Sequence, residues 1–231
     1  TAVIRGGYEY QGQKCSAASR MFIPRSLWHG LRDRLVADIK TIRVGDVQDF
    51  RNFMGAVINE RSWRNLSSVL AEASDTAGVK IVTGGGADMK TGYFVAPTLV
   101  EIDDPQSRFM TEEFFGPIVA AYVYDDNRFV DILALIDRSS VYGLTGSIFA
   151  TDRTAIAQAR SQLRHAAGNL YINDKPTGAV VGQQPFGGAR RSGTNDKAGS
   201  IWNLMRWVSP RTIKECFVPP TDYRYAFMAE P

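Results

Sequence analysis

Cys15 has the best local setting for nucleophilic chemistry in this sequence. It follows the glycine-containing run at residues 11–14 and precedes four small residues at 16–19. Small residues at this point predict a helix start, where the helix dipole and unpaired N–H groups would stabilise a thiolate. The same N–H groups can hold an oxyanion, and the adjacent Lys14 can stabilise the thiolate further. The alternative is that Cys15 is a small buried hydrophobic residue, as most free cysteines are.

The other cysteine, Cys216, has no glycine turn or helix start beside it, which argues against a catalytic role. If Cys15 needs a base, His165 is the suitable imidazole, because His29 falls on the polar face of a predicted helix. The helix dipole alone would also favour a histidine at the predicted position of His165. A cysteine hydrolase is therefore the second enzyme hypothesis. No Cys/His cluster has zinc spacing, so no metal site is predicted.

Two further segments combine groups that bind small molecules. Residues 112–117 (Glu-Glu-Phe-Phe-Gly-Pro) place two carboxylates and two rings just ahead of a predicted strand. A carboxylate can accept hydrogen bonds from ribose hydroxyls, and ligands collect at strand ends in doubly wound sheets. A turn with a buried aromatic anchor is equally compatible. The glycine loop at 182–188 lacks the Lys-Ser/Thr ending of a P-loop. Either it or residues 177–179 could offer N–H groups to an anion, or both could be plain loops.

Strands and helices alternate along the chain and must position these residues. Apolar runs predict strands at 20–23, 80–83, 93–100, 118–124, 145–149 and 169–172, and a short strand-like run at 2–4. Periodic apolar residues predict helices at about 24–39, 59–74, 126–137 and 152–163. This alternation predicts an α/β fold with a mostly parallel, doubly wound sheet and helices on both faces. Pro97 argues for an edge or a bend.

The end of the chain differs in character. Residues 176–200 are rich in Gly and Gln and predict a long loop, which in a compact domain is usually functional or disordered. Residues 202–225 contain strand-like pieces separated by prolines. We expect these pieces to pack on a partner subunit.

Composition limits the class of protein. The 231 residues are 44% apolar, enough for one full-sized core. The net charge is only +3 and no long basic run occurs, so no nucleic-acid or membrane partner is predicted. Two cysteines cannot form a disulfide framework, which favours a reducing compartment. Because the sequence opens on Thr1 with no initiator Met and no targeting segment, we expect a piece of a longer protein.

Five motifs together resemble the aldehyde dehydrogenase superfamily over nearly the whole chain. They are Tyr-Gln-Gly-Gln-Lys-Cys-Ser-Ala at 10–17, Glu-Phe-Phe-Gly-Pro at 113–117, Tyr-Gly-Leu-Thr-Gly at 142–146, Asn-Leu-Tyr-Ile-Asn-Asp-Lys at 169–175, and the glycine loop at 182–188 running on to 197. The resemblance implies a catalytic domain at 1–200 and a C-terminal oligomerisation tail at 201–231. The family's NAD-binding domain, general-base Glu and oxyanion Asn would precede this chain.

The resemblance also implies a role for each candidate residue. Cys15 would attack an aldehyde to give a thiohemiacetal, with its own N–H in the oxyanion hole. Hydride would then pass to NAD, and water would hydrolyse the thioester. Glu113 would bind the nicotinamide ribose, and Phe115 would pack near the nicotinamide. The residues implied to hold the substrate are Lys14, Ser16, Gly178, Ala179 and Phe186.

The implied substrate is a small-molecule aldehyde, L-glutamate γ-semialdehyde, oxidised to L-glutamate. Many relatives have Ser where this chain has Ala179, so backbone contacts are expected there. The implied setting is the mitochondrial matrix, and the implied assembly is a homodimer or a higher homo-oligomer. We expect the chain to be inactive alone, because the base and most of the NAD site would be missing. The alternatives are another aldehyde substrate, or a non-catalytic domain that self-associates.

Overall fold

The structure, a computed structural model, describes residues 1–228 and has an α/β architecture. The helices are α1 (Ala2–Tyr8), α2 (Arg25–Thr41), α3 (Glu60–Asp75), α4 (Arg108–Thr111), α5 (Phe129–Arg138), α6 (Arg153–Gln162) and α7 (Ile201–Leu204). The strands are β1 (Arg20–Pro24), β2 (Val79–Thr83), β3 (Ala87–Asp88), β4 (Phe94–Val95), β5 (Thr98–Ile102), β6 (Ile118–Tyr124), β7 (Tyr142–Gly143), β8 (Thr145–Ile148), β9 (Asn169–Ile172) and β10 (Ala189–Arg190). Short 3₁₀ segments lie at Glu9–Gly12, Asp126–Arg128, Met205–Trp207 and Ala226–Met228.

The main sheet has four strands in the order β1-β6-β5-β2. Strands β1 and β5 both pair in parallel with β6, and β2 pairs antiparallel with β5 at one edge. A second parallel pair, β8 with β9, is separate from this sheet. The prediction of a mostly parallel α/β fold is confirmed, with the parallel pairings divided between the main sheet and this pair. Two small antiparallel pairs, β3 with β4 and β7 with β10, lie outside both.

Side chains alternate along the strands and bury both faces of the main sheet. In β6, Val119 and Ala121 join a core with α1 and α2, whereas Ala120 and Tyr122 join a core with α3 and α5. A strand buried on both faces has few polar positions, which explains why the sequence signal for β6 is a continuous apolar run. The predicted placement of helices on both faces is therefore confirmed.

Capping residues and one proline set several element boundaries. The Asn59 side chain accepts the Ser62 N–H at the start of α3, and the Asp152 side chain accepts the Thr154 N–H at the start of α6. These bonds satisfy donors that the first helical turn leaves unpaired. The strand predicted at 93–100 divides into β4 and β5 around Pro97, which has no N–H for a sheet ladder.

Two element predictions are wrong. The run at 2–4 is not a strand but the start of α1, which ends on the fully buried Tyr8. A three-residue apolar run does not distinguish a strand from a helix. The strand-like pieces at 202–225 form no strands in the described part of the tail (201–228), which contains only α7 and short 3₁₀ turns. The predicted tail also included 229–231, which lie outside the described residues. Nowhere in 1–228 is a helix both long and apolar enough to cross a membrane.

Candidate active site

Cys15 lies in a turn between α1 and β1, and its side chain is exposed. The Ala17 N–H donates to the Lys14 carbonyl at 3.0 Å, which closes this single turn before the chain enters β1. The prediction of a helix start at 16–19 is therefore wrong. Position in a shaped loop, rather than a helix dipole, distinguishes this thiol. We call residues 9–19 the nucleophile loop.

The nucleophile loop turns through three consecutive residues with left-handed backbone. Tyr10, Gln11 and Gly12 have φ values of 53°, 58° and 65°. Two of them are not glycine, and such a conformation costs about 1–2 kcal/mol for each ordinary residue. A Cβ on Gly12 would overlap the carbonyl of Gly116, so glycine is required where these two loops touch.

Two glutamine side chains fasten the nucleophile loop to the segment before α3. The amide of Gln11 donates to the Ala56 carbonyl at 3.0 Å and accepts the Gly55 N–H at 3.0 Å. Gln13 accepts the Ile58 N–H, also at 3.0 Å. These bonds offset the unfavourable backbone of the loop. Neither glutamine was predicted to position the nucleophile loop, although both belong to the motif at 10–17.

An acidic side chain sits between two lysines beside the nucleophile. Glu9 accepts Lys14 Nζ at 2.9 Å and lies 3.5 Å from Lys175 Nζ. Burial alone would raise the pKa of Glu9, but the hydrogen bond and charge of Lys14, with help from Lys175, hold that pKa below its usual value. Lys14 also lies 5.2 Å from the centre of the Tyr10 ring. Its charge is thus shared with Glu9, which reduces what it can lend to the Cys15 thiol.

A buried hydroxyl pair joins the nucleophile loop to the loop after β9. The Oγ of Ser16 and the Oγ1 of Thr177 lie 2.8 Å apart. The Thr145 hydroxyl separately donates to the Ser16 carbonyl at 3.4 Å. Gly178 follows with φ of 85°, a turn that brings Ala179 towards Cys15. Sequence analysis singled out 177–179 but not this contact, since its partners are 161 residues apart.

One open cleft of about 600 Å³ brings together most of the predicted site residues. Six of the eight line it: Lys14, Cys15, Ser16, Phe115, Ala179 and Phe186. Gly178 is adjacent in sequence to a lining residue but does not itself line the cleft. Five lining residues are not among the predicted site residues: Gln13, Val181, Gln184, Ala198 and Gly199.

Glu113, the eighth predicted residue, borders a smaller cavity between its own loop and the nucleophile loop. Lys14 and Phe115 line both this cavity and the cleft, so the two are contiguous. Partial burial raises the pKa of Glu113. Phe115 has a left-handed φ of 57° and a half-exposed ring at the boundary. The structure thus puts a carboxylate and an aromatic ring on adjoining surfaces.

The segment around Phe186, which lines the cleft, is held in place by hydrogen bonds. Phe186 and Ala198 exchange two backbone hydrogen bonds, of 2.9 and 2.7 Å. Lys197 Nζ donates to the carbonyls of Gly168 at 2.7 Å and Gly187 at 3.2 Å. Desolvation lowers the pKa of Lys197. The predicted long loop is therefore held in place at the side that lines the cleft.

Neither histidine of the chain lines the cleft, since His29 lies on α2 and His165 follows α6. The cysteine hydrolase hypothesis needs a base within hydrogen-bond reach of the thiol, and the cleft provides no imidazole for that role. Cys216 lies in the tail, where its Sγ is 3.0 Å from the Val218 carbonyl. It does not contribute to the cleft.

Comparisons with known proteins show which family this chain resembles in sequence and fold. The model of the aldehyde dehydrogenase family matches residues 1–213. The chain is 53% identical over 228 residues to the mitochondrial delta-1-pyrroline-5-carboxylate dehydrogenase of Dictyostelium discoideum, covering 99% of this chain and 41% of that protein. It is 50% identical, with a TM-score of 0.88, to the crystal structure of the Delta-pyrroline-5-carboxylate dehydrogenase from Mycobacterium tuberculosis, covering 100% of this chain and 42% of that one.

A crystal structure of the same mycobacterial enzyme bound with NAD is similarly related, with 50% identity and a TM-score of 0.87, covering 99% of this chain and 41% of that one. The chain thus spans about two fifths of the length of the relatives it matches. The similarity to the mycobacterial enzyme covers the whole chain.

Proposed function

Because this chain belongs to the aldehyde dehydrogenase family, we propose that it is the catalytic part of an enzyme that oxidises L-glutamate γ-semialdehyde to L-glutamate with NAD. One observation supports this above the others. A single cleft is lined by Cys15 together with Phe115, Ser16, Ala179 and Phe186. Aldehyde oxidation requires a nucleophile that a cofactor and a substrate can reach in one cleft, and this lining supports that role.

Cys15 is the proposed nucleophile. Its thiolate adds to the aldehyde carbon, forming a C–S bond and leaving the carbonyl oxygen as an oxyanion. The Cys15 N–H is proposed as one donor to that oxygen. Oxidation of the thiohemiacetal gives a thioester on Cys15, and hydrolysis of the C–S bond releases the acid and restores the thiol. The general base for that water is proposed to lie outside this chain.

Glu113 and Phe115 are the proposed contacts to NAD. The Glu113 carboxylate borders the small cavity and can accept hydrogen bonds from the hydroxyls of the nicotinamide ribose, which is the chemistry its position fits. Phe115 stands where the small cavity meets the cleft. When bound, NAD supplies the hydride acceptor. These residues fit one end of the dinucleotide, and the rest of its site is proposed to come from another part of the protein.

The substrate side is proposed to consist of Lys14, Ser16, Gly178, Ala179 and Phe186. Ser16 and the turn at Gly178 and Ala179 would hold the amino-acid end, with backbone groups acting at Ala179 because it has no hydroxyl. The Phe186 ring would pack against the aliphatic chain of the aldehyde substrate. A substrate carboxylate suits this end of the cleft, because the two positive charges of Lys14 and Lys175 exceed the single negative charge of Glu9.

Residues 1–200 are proposed as catalytic domain and 201–231 as an oligomerisation tail. Of the described tail residues 201–228, all but Asn203 are exposed, and they include Trp202, Trp207 and Phe217. Exposed apolar area on this scale favours association with another subunit, so we propose a homodimer or higher homo-oligomer. Since eukaryotic relatives are named mitochondrial, we propose the mitochondrial matrix as the location.

The test is NADH formation from glutamate γ-semialdehyde by the full natural polypeptide that contains this chain. Cys15→Ser should lower kcat by a factor of at least ~10³, because a hydroxyl cannot replace the thiolate. Cys216→Ser is the matched control and should leave turnover unchanged. We expect no NADH from the 231-residue chain alone. Unchanged turnover in Cys15→Ser would refute the proposal.

A further inference from the structure

The hydrogen bond between Ser16 and Thr177 is placed to act on the substrate side of the cleft. Ser16 directly follows Cys15 and lines the cleft, whereas Thr177 does not line it. The exposed fractions are 8% for Ser16 and 3% for Thr177, and the two oxygens lie 2.8 Å apart. Thr177 can therefore reach a ligand in the cleft only through Ser16.

The Thr177 hydroxyl controls the side chain of Ser16 rather than its backbone. The Ser16 carbonyl is held independently, by the Thr145 hydroxyl at 3.4 Å. Loss of the Thr177 hydroxyl would leave that bond and the turn at Gly178 in place. What it would release is the torsion of the Ser16 hydroxyl, and with it the direction in which Ser16 presents its proton.

Proton counting fixes the direction of this bond when an anion is bound. A serine hydroxyl has one proton to donate and two lone pairs that accept. If Ser16 donates that proton to a carboxylate, its bond to Thr177 must be one in which Thr177 donates. Two hydroxyls in such a chain polarise each other, so the outer donor becomes stronger.

We propose that Thr177 is a positioning residue that fixes the Ser16 hydroxyl as a donor to the α-carboxylate of the substrate. The inference rests on the proposed function, since it requires a substrate with a carboxylate at this end. It assigns a role to a residue outside the cleft. The chemistry it predicts is selective: an aldehyde without an amino-acid end gains nothing from Thr177.

The test compares two substrates in the full natural polypeptide, glutamate γ-semialdehyde and propanal. Thr177→Val keeps the shape of the side chain and removes its hydroxyl. We expect KM for the semialdehyde to rise by up to about tenfold, the upper end of the loss for a hydrogen bond between neutral groups, so that the semialdehyde-to-propanal ratio of kcat/KM falls by the same factor. Thr177→Ser restores the hydroxyl and should restore the ratio. Thr154→Val, at an exposed position on α6, is the control and should leave the ratio unchanged.

A double-mutant cycle separates positioning from a general packing role. In a Ser16→Ala background, Thr177→Val should change KM for the semialdehyde no further, because its mediator is gone. An equal rise in both backgrounds, or an equal loss with propanal, would overturn the inference. If Thr177→Val does not fold, Thr177→Ala takes its place: it must lower the ratio when Ser16 is present and leave it unchanged in the Ser16→Ala background. Wild-type protein that oxidises propanal but not the semialdehyde would overturn the proposed function, and the inference with it.

Discussion

The two cysteines of this chain are both exposed, yet their surroundings have opposite character. Cys15 belongs to the nucleophile loop, whose backbone is fixed by hydrogen bonds from glutamine side chains, by the buried hydroxyl pair of Ser16 and Thr177, and by contact with Gly116. Cys216 belongs to a tail in which every described residue except Asn203 is exposed. The difference teaches that exposure makes a thiol reachable, whereas contacts from distant segments give it a defined place opposite other groups.

The largest expected effect contrasts two tryptophans. Trp28 of α2 is 3% exposed and packs in the core that also contains Tyr8, the residue leading into the nucleophile loop, whereas Trp207 in the tail is 80% exposed. Trp28→Ala should lower the free energy of unfolding by about 3–5 kcal/mol. Trp207→Ala should change it by less than about 0.5 kcal/mol. Urea denaturation at a concentration where the chain is monomeric measures both. A loss of more than about 1 kcal/mol in Trp207→Ala would show that the tail packs on the body.

A second, smaller effect tests how tightly the nucleophile loop is held. Gly12→Ala should lower the free energy of unfolding by about 2–4 kcal/mol, because its φ is left-handed and its Cβ would overlap the Gly116 carbonyl. Gly182 also has a left-handed φ but faces open space. Gly182→Ala should therefore cost only the backbone term, about 1–2 kcal/mol. Equal losses in the two variants, by urea denaturation, would mean that the loops do not touch as described.

The smallest effect concerns charge. Glu9 has a lowered pKa, so its contribution to stability is full above its unfolded pKa of about 4.3 and is lost as pH falls through the folded value. The free energy of unfolding of the wild-type protein should exceed that of Glu9→Gln by up to about 1 kcal/mol at neutral pH. This difference should disappear on acidification below pH ~4. Thermal unfolding across pH measures it. A gap that persists in acid would assign the effect to packing instead of charge.

The tail offers a control for this charge effect. Asp222 also pairs with an arginine, Arg224, but the two are only two residues apart and both are exposed. The unfolded chain can form the same pair, so Asp222→Asn should give an unfolding curve that tracks wild type at every pH. A pH-dependent difference between the unfolding curves of Asp222→Asn and wild type would mean that the tail has folded structure beyond that described above.

The sequence was informative wherever a local pattern has one structural outcome. The apolar run of β6 and the periodic apolar residues of α3 and α6 predicted elements that the structure contains. The run at 2–4 failed because three apolar residues suit a helix as well as a strand. The prediction of strands in the tail failed because a strand requires a partner strand, and residues 201–228 pair with no strand within the described chain.

The candidate site was predictable in membership more than in shape. The motif at 10–17 identified Cys15, and six predicted residues do line one cleft. The shape depends on Tyr10 and Gln11 adopting left-handed backbone, which no composition rule assigns to such residues. The contact between Ser16 and Thr177 spans 161 residues, so a reading of local pattern could not find it.

The left-handed backbone at residues 10–12 limits whether the nucleophile loop can be moved into another protein. The hydrogen bonds that hold it join Gln11 to Gly55 and Ala56, at sequence separations of 44 and 45 residues. A synthetic peptide of residues 8–19 would contain the thiol and both glutamines, but nothing to oppose the relaxation of Tyr10 and Gln11 into ordinary backbone. Grafting the motif into another scaffold therefore requires the receiving segment as well, since the conformation is shared between two stretches of chain.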